Sequence, residues 1–158
     1  MNHRHFVRAS VLFAVSLSAF SQNAGTEAVV WSTQVTPLQS ANGERLHHLQ
    51  LDGRIAPHYI VYGSDFNAQL GPNPTRLRFA DDSGITPQGP LESVGTHKGT
   101  DEVFKTDYTY FRGEAKLSQV IAVAAGTEKI AGTIRGQTCY EANGTCQLFS
   151  TSFDIKLP

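Results

Sequence analysis

Residues 147–157 constrain the fold more than any other stretch. Phe149, Thr151, Phe153, Ile155 and Leu157 take every second position, and Ser150, Ser152, Asp154 and Lys156 fill the gaps. A period of two puts one set on each face of an extended chain, as in a half-buried strand. Other short runs rich in Val, Ile, Thr, Tyr and Phe lie between clusters of Gly, Pro, Asn and Asp. They predict strands at 29–36, 45–52, 56–62, 75–80, 85–91, 107–112, 115–124, 128–138 and 147–157. The run 115–125 is ambiguous, because Leu117, Val120, Ile121 and Ala124 also fit a helical face. Its β neighbours favour a strand. So many short strands with frequent turn signals point to an antiparallel sandwich. The Gly- and Pro-rich stretch 86–100 is expected to contain a long surface loop.

Residues 1–21 read as a secretory signal peptide. Arg4 and Arg8 with His3 and His5 form a basic n-region, and 11–20 is an apolar run too short to span a bilayer. Ala19 and Ser21 supply small residues for cleavage. Cleavage would place the mature chain in the periplasm or outside the cell. Residues 22–28 read as an N-terminal tail and 29–158 as one domain. Without Arg4 and Arg8, the 13 basic side chains fall to 11, against 14 acidic ones. That balance offers no electrostatic footprint for nucleic acid.

The chain has two cysteines, Cys139 and Cys146, in the segment CYEANGTC. An exported chain meets an oxidising compartment, where such a pair can close. Strand parity places Ile130 and Ile134 toward the core, so Cys139 falls on the opposite face with Lys129, Thr133, Arg135 and Gln137. Cys146 likewise falls opposite Phe149 and Phe153. The two cysteines are directly opposed if the hairpin loop is 141–144, with Gly144 closing it in a left-handed conformation. Opposed residues have Cα atoms about 4.5–5.5 Å apart, within disulfide reach. A tighter Asn143-Gly144 turn would instead leave the cysteines on a diagonal. A bridge across so short a loop removes little unfolded-state entropy, on the order of 2–3 kcal/mol at most. The pair is therefore either a hairpin staple or a working redox centre.

Four pieces of the chain occur in the order of a known family: HYIVYG at 58–63, GPNPT at 71–75, DEVFKTDYTYFRGEAKLSQ at 101–119 and IAGTIRGQTCYEANGTC at 130–146. Together they resemble the N-terminal periplasmic domain of the thiol:disulfide interchange protein DsbD, over about two-thirds of the chain, Leu51 to Pro158. The resemblance implies an all-β, immunoglobulin-like antiparallel β-sandwich that passes electrons by thiol–disulfide exchange. It implies a thioredoxin-like or membrane-embedded oxidoreductase as donor and oxidised periplasmic proteins as acceptors. By position, Cys146 would form mixed disulfides and Cys139 would resolve them. Phe104 would be a cap over the disulfide, Asp101 and Glu102 the acidic residues beside it, and Tyr62 an active-site tyrosine. The chain departs from the pattern in Ile60, which stands where many members have an aromatic residue or His. Gln147-Leu148-Phe149 also follows the second cysteine, where Pro is common. The competing expectation is a non-enzymatic immunoglobulin-like binding or adaptor module in which the disulfide is structural.

No metal or cofactor is expected. His47 and His48 are adjacent and would point to opposite faces of a strand. His58 and His97 have no ligand-spaced partner. The sole Met is the initiator, which leaves no thioether cluster for copper. Asn143-Gly144-Thr145 fits a glycosylation sequon, and a hairpin turn explains it equally well.

Overall fold

A computed structural model describes residues 27–38, 45–67 and 69–157. The expected signal peptide, and all of the expected tail except Glu27 and Ala28, lie outside the described residues. Ala28 already belongs to the fold: it is buried, and its carbonyl accepts a hydrogen bond from the Ala56 amide at 2.9 Å.

The described chain is all-β, an immunoglobulin-like sandwich of two antiparallel sheets. The strands are β1 (Val29–Pro37), β2 (Leu46–Ile55), β3 (Tyr59–Tyr62), β4 (Arg76–Phe79), β5 (Ile85–Pro87), β6 (Glu92–Ser93), β7 (His97–Asp101), β8 (Thr106–Arg112), β9 (Glu114–Val123), β10 (Lys129–Tyr140) and β11 (Thr145–Lys156). One sheet runs β1-β2-β9-β5, with β6 also on β9. The other runs β11-β10-β3-β8-β7, with β4 also on β10.

Alternation in each strand builds the core. Leu49, Leu51, Leu117 and Ile121 project from the first sheet, and Val61, Phe111, Ile130 and Ile134 from the second; all are essentially inaccessible to solvent. The ambiguous run is strand, not helix: β9 sits between β2 and β5, and Ala115, Leu117, Gln119, Ile121 and Val123 all bury. Phe149 and Phe153 of β11 pack on the edge of this core. The Phe149 ring needs room that only glycine leaves at its cross-strand partner Gly136, where a Cβ would come within 2.7 Å of the ring.

Two expectations change. Residues 56–58 are a turn rather than the start of a strand, since β2 continues to Ile55 and His58 adopts a positive φ of 65°. The long surface loop expected within 86–100 is interrupted by strand pairing. Glu92 and Ser93 pair with β9, and His97–Asp101 forms an edge strand on β8. Backbone pairing to well-formed neighbours overrides the low strand propensity of this Gly- and Pro-rich segment.

Candidate functional site

Strands β10 and β11 form a hairpin of twelve residues on each side. Tyr140 pairs with Thr145, so residues 141–144 are the loop, and Cys139 stands directly opposite Cys146. Gly144 closes the loop at a φ of 69°. The wider of the two loops considered above is therefore the one formed. Cys139 and Cys146 are joined in a disulfide, with their Cα atoms 4.0 Å apart.

The two sulfurs occupy different surroundings. Cys146 is exposed on the edge strand. Cys139 is 4% exposed. Parity alone places both on a polar face, but the face is not polar around Cys139. Around Cys139 it is covered by Ile60 and Tyr62 of β3, with Phe66, Tyr108 and Tyr110 packed against them. Ile60 is the direct partner of Cys139 on β3, and Tyr62 is the partner of Tyr110 on β8.

Tyr62 lies 3.5 Å from Cys139 through its hydroxyl. A disulfide sulfur carries no proton, so the phenol is the donor. Burial, and then the neighbouring Tyr108 and Asp101, push the Tyr62 hydroxyl up to about 12, so it keeps its proton at any physiological pH. Tyr108 is raised for the same leading reason. Gln137 adds a second, longer donor to Cys139 through Nε2 at 3.7 Å.

The β10–β11 loop is tied down. The Glu141 amide donates to the His58 carbonyl at 2.8 Å, and the Glu141 carboxylate accepts from Arg112 Nε at 2.9 Å. The hydrogen bonds from Arg112 hold the Glu141 carboxyl below its ordinary value. Arg112 also sits 5.0 Å over the Tyr110 ring.

Asp101 ends β7, and its Oδ1 accepts from the amides of Val103 and Phe104 at 2.9 Å each. It thereby shapes the β7–β8 loop, in which Lys105 takes a φ of 53°. Glu102 points into solvent and pairs with Lys105 at 2.6 Å. Phe104 is about half exposed, at 48%. A Cβ on Gly71 would lie 4.0 Å from its ring, so the ring sits beside Gly71, the first residue of the segment 71–75. That segment reaches the cysteines by another route: Asn73 donates to Gln137 Oε1 from its amide (3.0 Å) and its side chain (2.8 Å). Of the residues the resemblance singled out, Tyr62 meets Cys139 directly. Asp101 acts on Tyr62 through its charge, and Glu102 faces away.

Sequence reasoning missed Gln137 as a sulfur neighbour, and Tyr108 and Tyr110 as the wall beside Tyr62. The period-two spacing of the two tyrosines on β8 was the available signal. Among the described residues no three His, Cys, Asp or Glu side chains converge as a metal site.

No family model and no curated protein matches the chain. Solved structures do. The N-terminal domain of DsbD from Neisseria meningitidis, in its reduced form, is similar over 68% of this chain and 75% of its own, at 23% identity and a TM-score of 0.49. The complex between the DsbD N-terminal and PilB N-terminal domains of the same organism gives a match over 78% of this chain and 80% of that one, at 16% identity and a TM-score of 0.50. This is the DsbD N-terminal fold. The N-terminal periplasmic domain of ScsB from Proteus mirabilis matches over 80% of this chain and 46% of its own, at 12% identity and a TM-score of 0.48. In this DsbD-like fold, the β10–β11 hairpin carries the cysteine pair on the outer surface of the six-stranded sheet.

Proposed function

We propose that the protein is an exported thiol:disulfide exchange domain that takes two electrons from a thioredoxin-like or membrane-embedded dithiol donor and passes them to oxidised periplasmic proteins. One observation carries this reading: the disulfide is exposed at Cys146 and buried at Cys139, with a protonated phenol on the buried sulfur.

The chemistry follows from that asymmetry. A donor thiolate can reach only Cys146 Sγ. Its attack forms a donor–Cys146 disulfide and breaks the Cys139–Cys146 bond, expelling Cys139 as a thiolate. The Tyr62 hydroxyl already points at the sulfur where that charge develops, and a donor aimed at a developing anion lowers the barrier. The donor's second thiolate then attacks its own sulfur in the mixed disulfide and frees Cys146. The donor leaves oxidised, and the pair here is reduced, with two protons taken up.

In the forward direction Cys146 attacks an acceptor disulfide. Cys139 then attacks Cys146 Sγ, restores the internal disulfide and releases the acceptor as a dithiol. Phe104 serves as the cap that a docking partner displaces. Asp101 fixes the cap loop and adds negative charge that disfavours a thiolate until a partner covers the site.

The deciding measurement is the reduction potential of the disulfide against a glutathione buffer, with the fold followed in parallel. A potential of roughly −180 to −270 mV with the fold retained supports exchange. A value below about −300 mV, or unfolding on reduction, makes the bridge a structural staple and the protein a binding module.

A further inference from the structure

Along β10 and β11, the face that carries the disulfide continues into a basic groove. Two residues on from Cys146 is Leu148, 72% exposed and opposite Gln137. Two residues further is Ser150, opposite Arg135. On its other side Arg135 is the direct partner of Arg76 on β4, and Arg78 is the partner of Thr133. Leu148, Arg76, Arg78 and Arg135 line one groove together. At the rise of a β-strand, Arg135 lies about 13 Å from Cys139.

The arrangement works against stability. Like charges directly opposed across a sheet repel. Among the described residues none of the three arginines forms an ion pair. Asp154, the acidic side chain on the same face of β11, is held by Lys129 at 2.8 Å. An exposed leucine between this charge and the reactive sulfur adds an apolar contact that the fold does not use. Both features fit a surface completed by something else.

We propose that the groove of Arg76, Arg78 and Arg135, with Leu148, is the docking surface for an exchange partner protein that carries carboxylates on the same face as its reactive cysteine. This rests on the exchange reading above, because the same strands carry the sulfur and the groove. A partner seated with its thiol at Cys146 Sγ reaches Leu148 next, then the level of Arg135 and Arg76 about 13 Å along the strands and that of Arg78, opposite Thr133, about 20 Å along. Arginine forks bind carboxylates in pairs of hydrogen bonds, which fixes orientation as well as attraction. Charge complementarity of this kind selects partners and speeds encounter more than it deepens affinity.

The test uses two synthetic peptides, each with one cysteine, flanked in one by glutamates and in the other by lysines. Two peptide thiols reduce the Cys139–Cys146 disulfide and leave as a peptide disulfide. At low salt the acidic peptide is expected to react about ten-fold faster than the basic one. The advantage should vanish in 0.5 M salt and in the R76Q/R135Q double variant, while the rate with neutral dithiothreitol stays unchanged. Equal rates for the two peptides, or an acidic preference that survives in the double variant, would overturn the proposal and leave the exchange reading standing.

A second arm separates the two failures. A serine version of the acidic peptide is titrated onto the oxidised protein, and backbone amide shifts are recorded. Shifts centred on Arg76, Arg135 and Leu148 support the docking surface even if no thiol reduces the disulfide, a result that would end the exchange reading alone. Shifts elsewhere, or none, overturn the docking surface. Arginine-dependent capture by anionic phospholipid vesicles, without a preference between the peptides, would assign the groove to a lipid surface and overturn it as well.

Discussion

Cys139 and Cys146 are direct cross-strand partners, yet one is sealed under an aromatic wall and the other is open to solvent. The difference comes from strand order. β11 is an edge strand, so among the described residues no strand pairs on the far side of Cys146. β10 is flanked by β3, which brings Ile60 and Tyr62 over Cys139. A disulfide of this kind can be entered from one side only. Cys146→Ser is therefore expected to abolish mixed-disulfide formation with any thiol partner. Cys139→Ser should instead trap the partner on Cys146. Non-reducing gels of each variant produced in its native host test this, and an empty Cys139→Ser lane would sink the relay.

Much of this arrangement is legible in the residues, and the limits of legibility are physical. The alternation of 147–157 and the parity of Ile130 and Ile134 locate the hairpin and the face of its cysteines. The loop 141–144 is legible only as one of two options, because Asn143-Gly144 also suits a tighter turn. The burial of Cys139 is not legible in its own strand. It depends on β3 lying next to β10, a contact between residues 60 and 139 that no local pattern encodes. The edge strand His97–Asp101 is hidden for the same reason: its residues are poor strand formers, and β8 recruits them.

The phenol of Tyr62 should tune the leaving sulfur. Tyr62→Phe keeps the ring and removes the donor, so the Cys139 thiolate loses one hydrogen bond. Reduction by dithiothreitol should slow by roughly ten-fold, the worth of about 1.4 kcal/mol. The thiol pKa of Cys139 in the reduced protein should rise. Stopped-flow reduction with a parallel thiol titration checks both, and a rate equal to wild type would remove Tyr62 from the chemistry.

The same residue gives a pH prediction with a definite sign. The Tyr62 phenol ionises near 10 when unfolded and at about 12 in the fold. The folded state therefore holds the proton longer. The contribution is fully present below pH 10 and is lost as pH rises through 12, by roughly 2 kcal/mol in all. Urea melts between pH 9 and 12 should fall more steeply for wild type than for Tyr62→Phe. Tyr108 is raised too and remains in the variant, so the difference between the curves reports Tyr62 together with its repulsion from Tyr108.

Phe104 offers a kinetic test of the cap. Its ring is half exposed at the tip of the β7–β8 loop, which Asp101 shapes through two amide hydrogen bonds. If the ring screens the disulfide, Phe104→Ala should speed reduction by a small thiol several-fold while costing only about 1 kcal/mol of stability, since the ring is half buried. An unchanged rate would remove the lid from the mechanism.

Gly136 reports on the packing that aims the hairpin. Its missing side chain leaves room for the Phe149 ring and for Thr75, whose hydroxyl a Cβ would approach to 2.8 Å. Gly136 and Phe149 are cross-strand partners, three residues from Cys139 and Cys146 respectively. Gly136→Ala forces the ring outward and should destabilise the fold by about 1–3 kcal/mol, as overpacking of a well-filled site does. The smaller side chain of Phe149→Leu should recover part of that loss in the double variant, which a four-point thermodynamic cycle would read as coupling. Strict additivity would mean that the ring already has space to move, and that the tight approach at Gly136 does not hold the register of the cysteine pair.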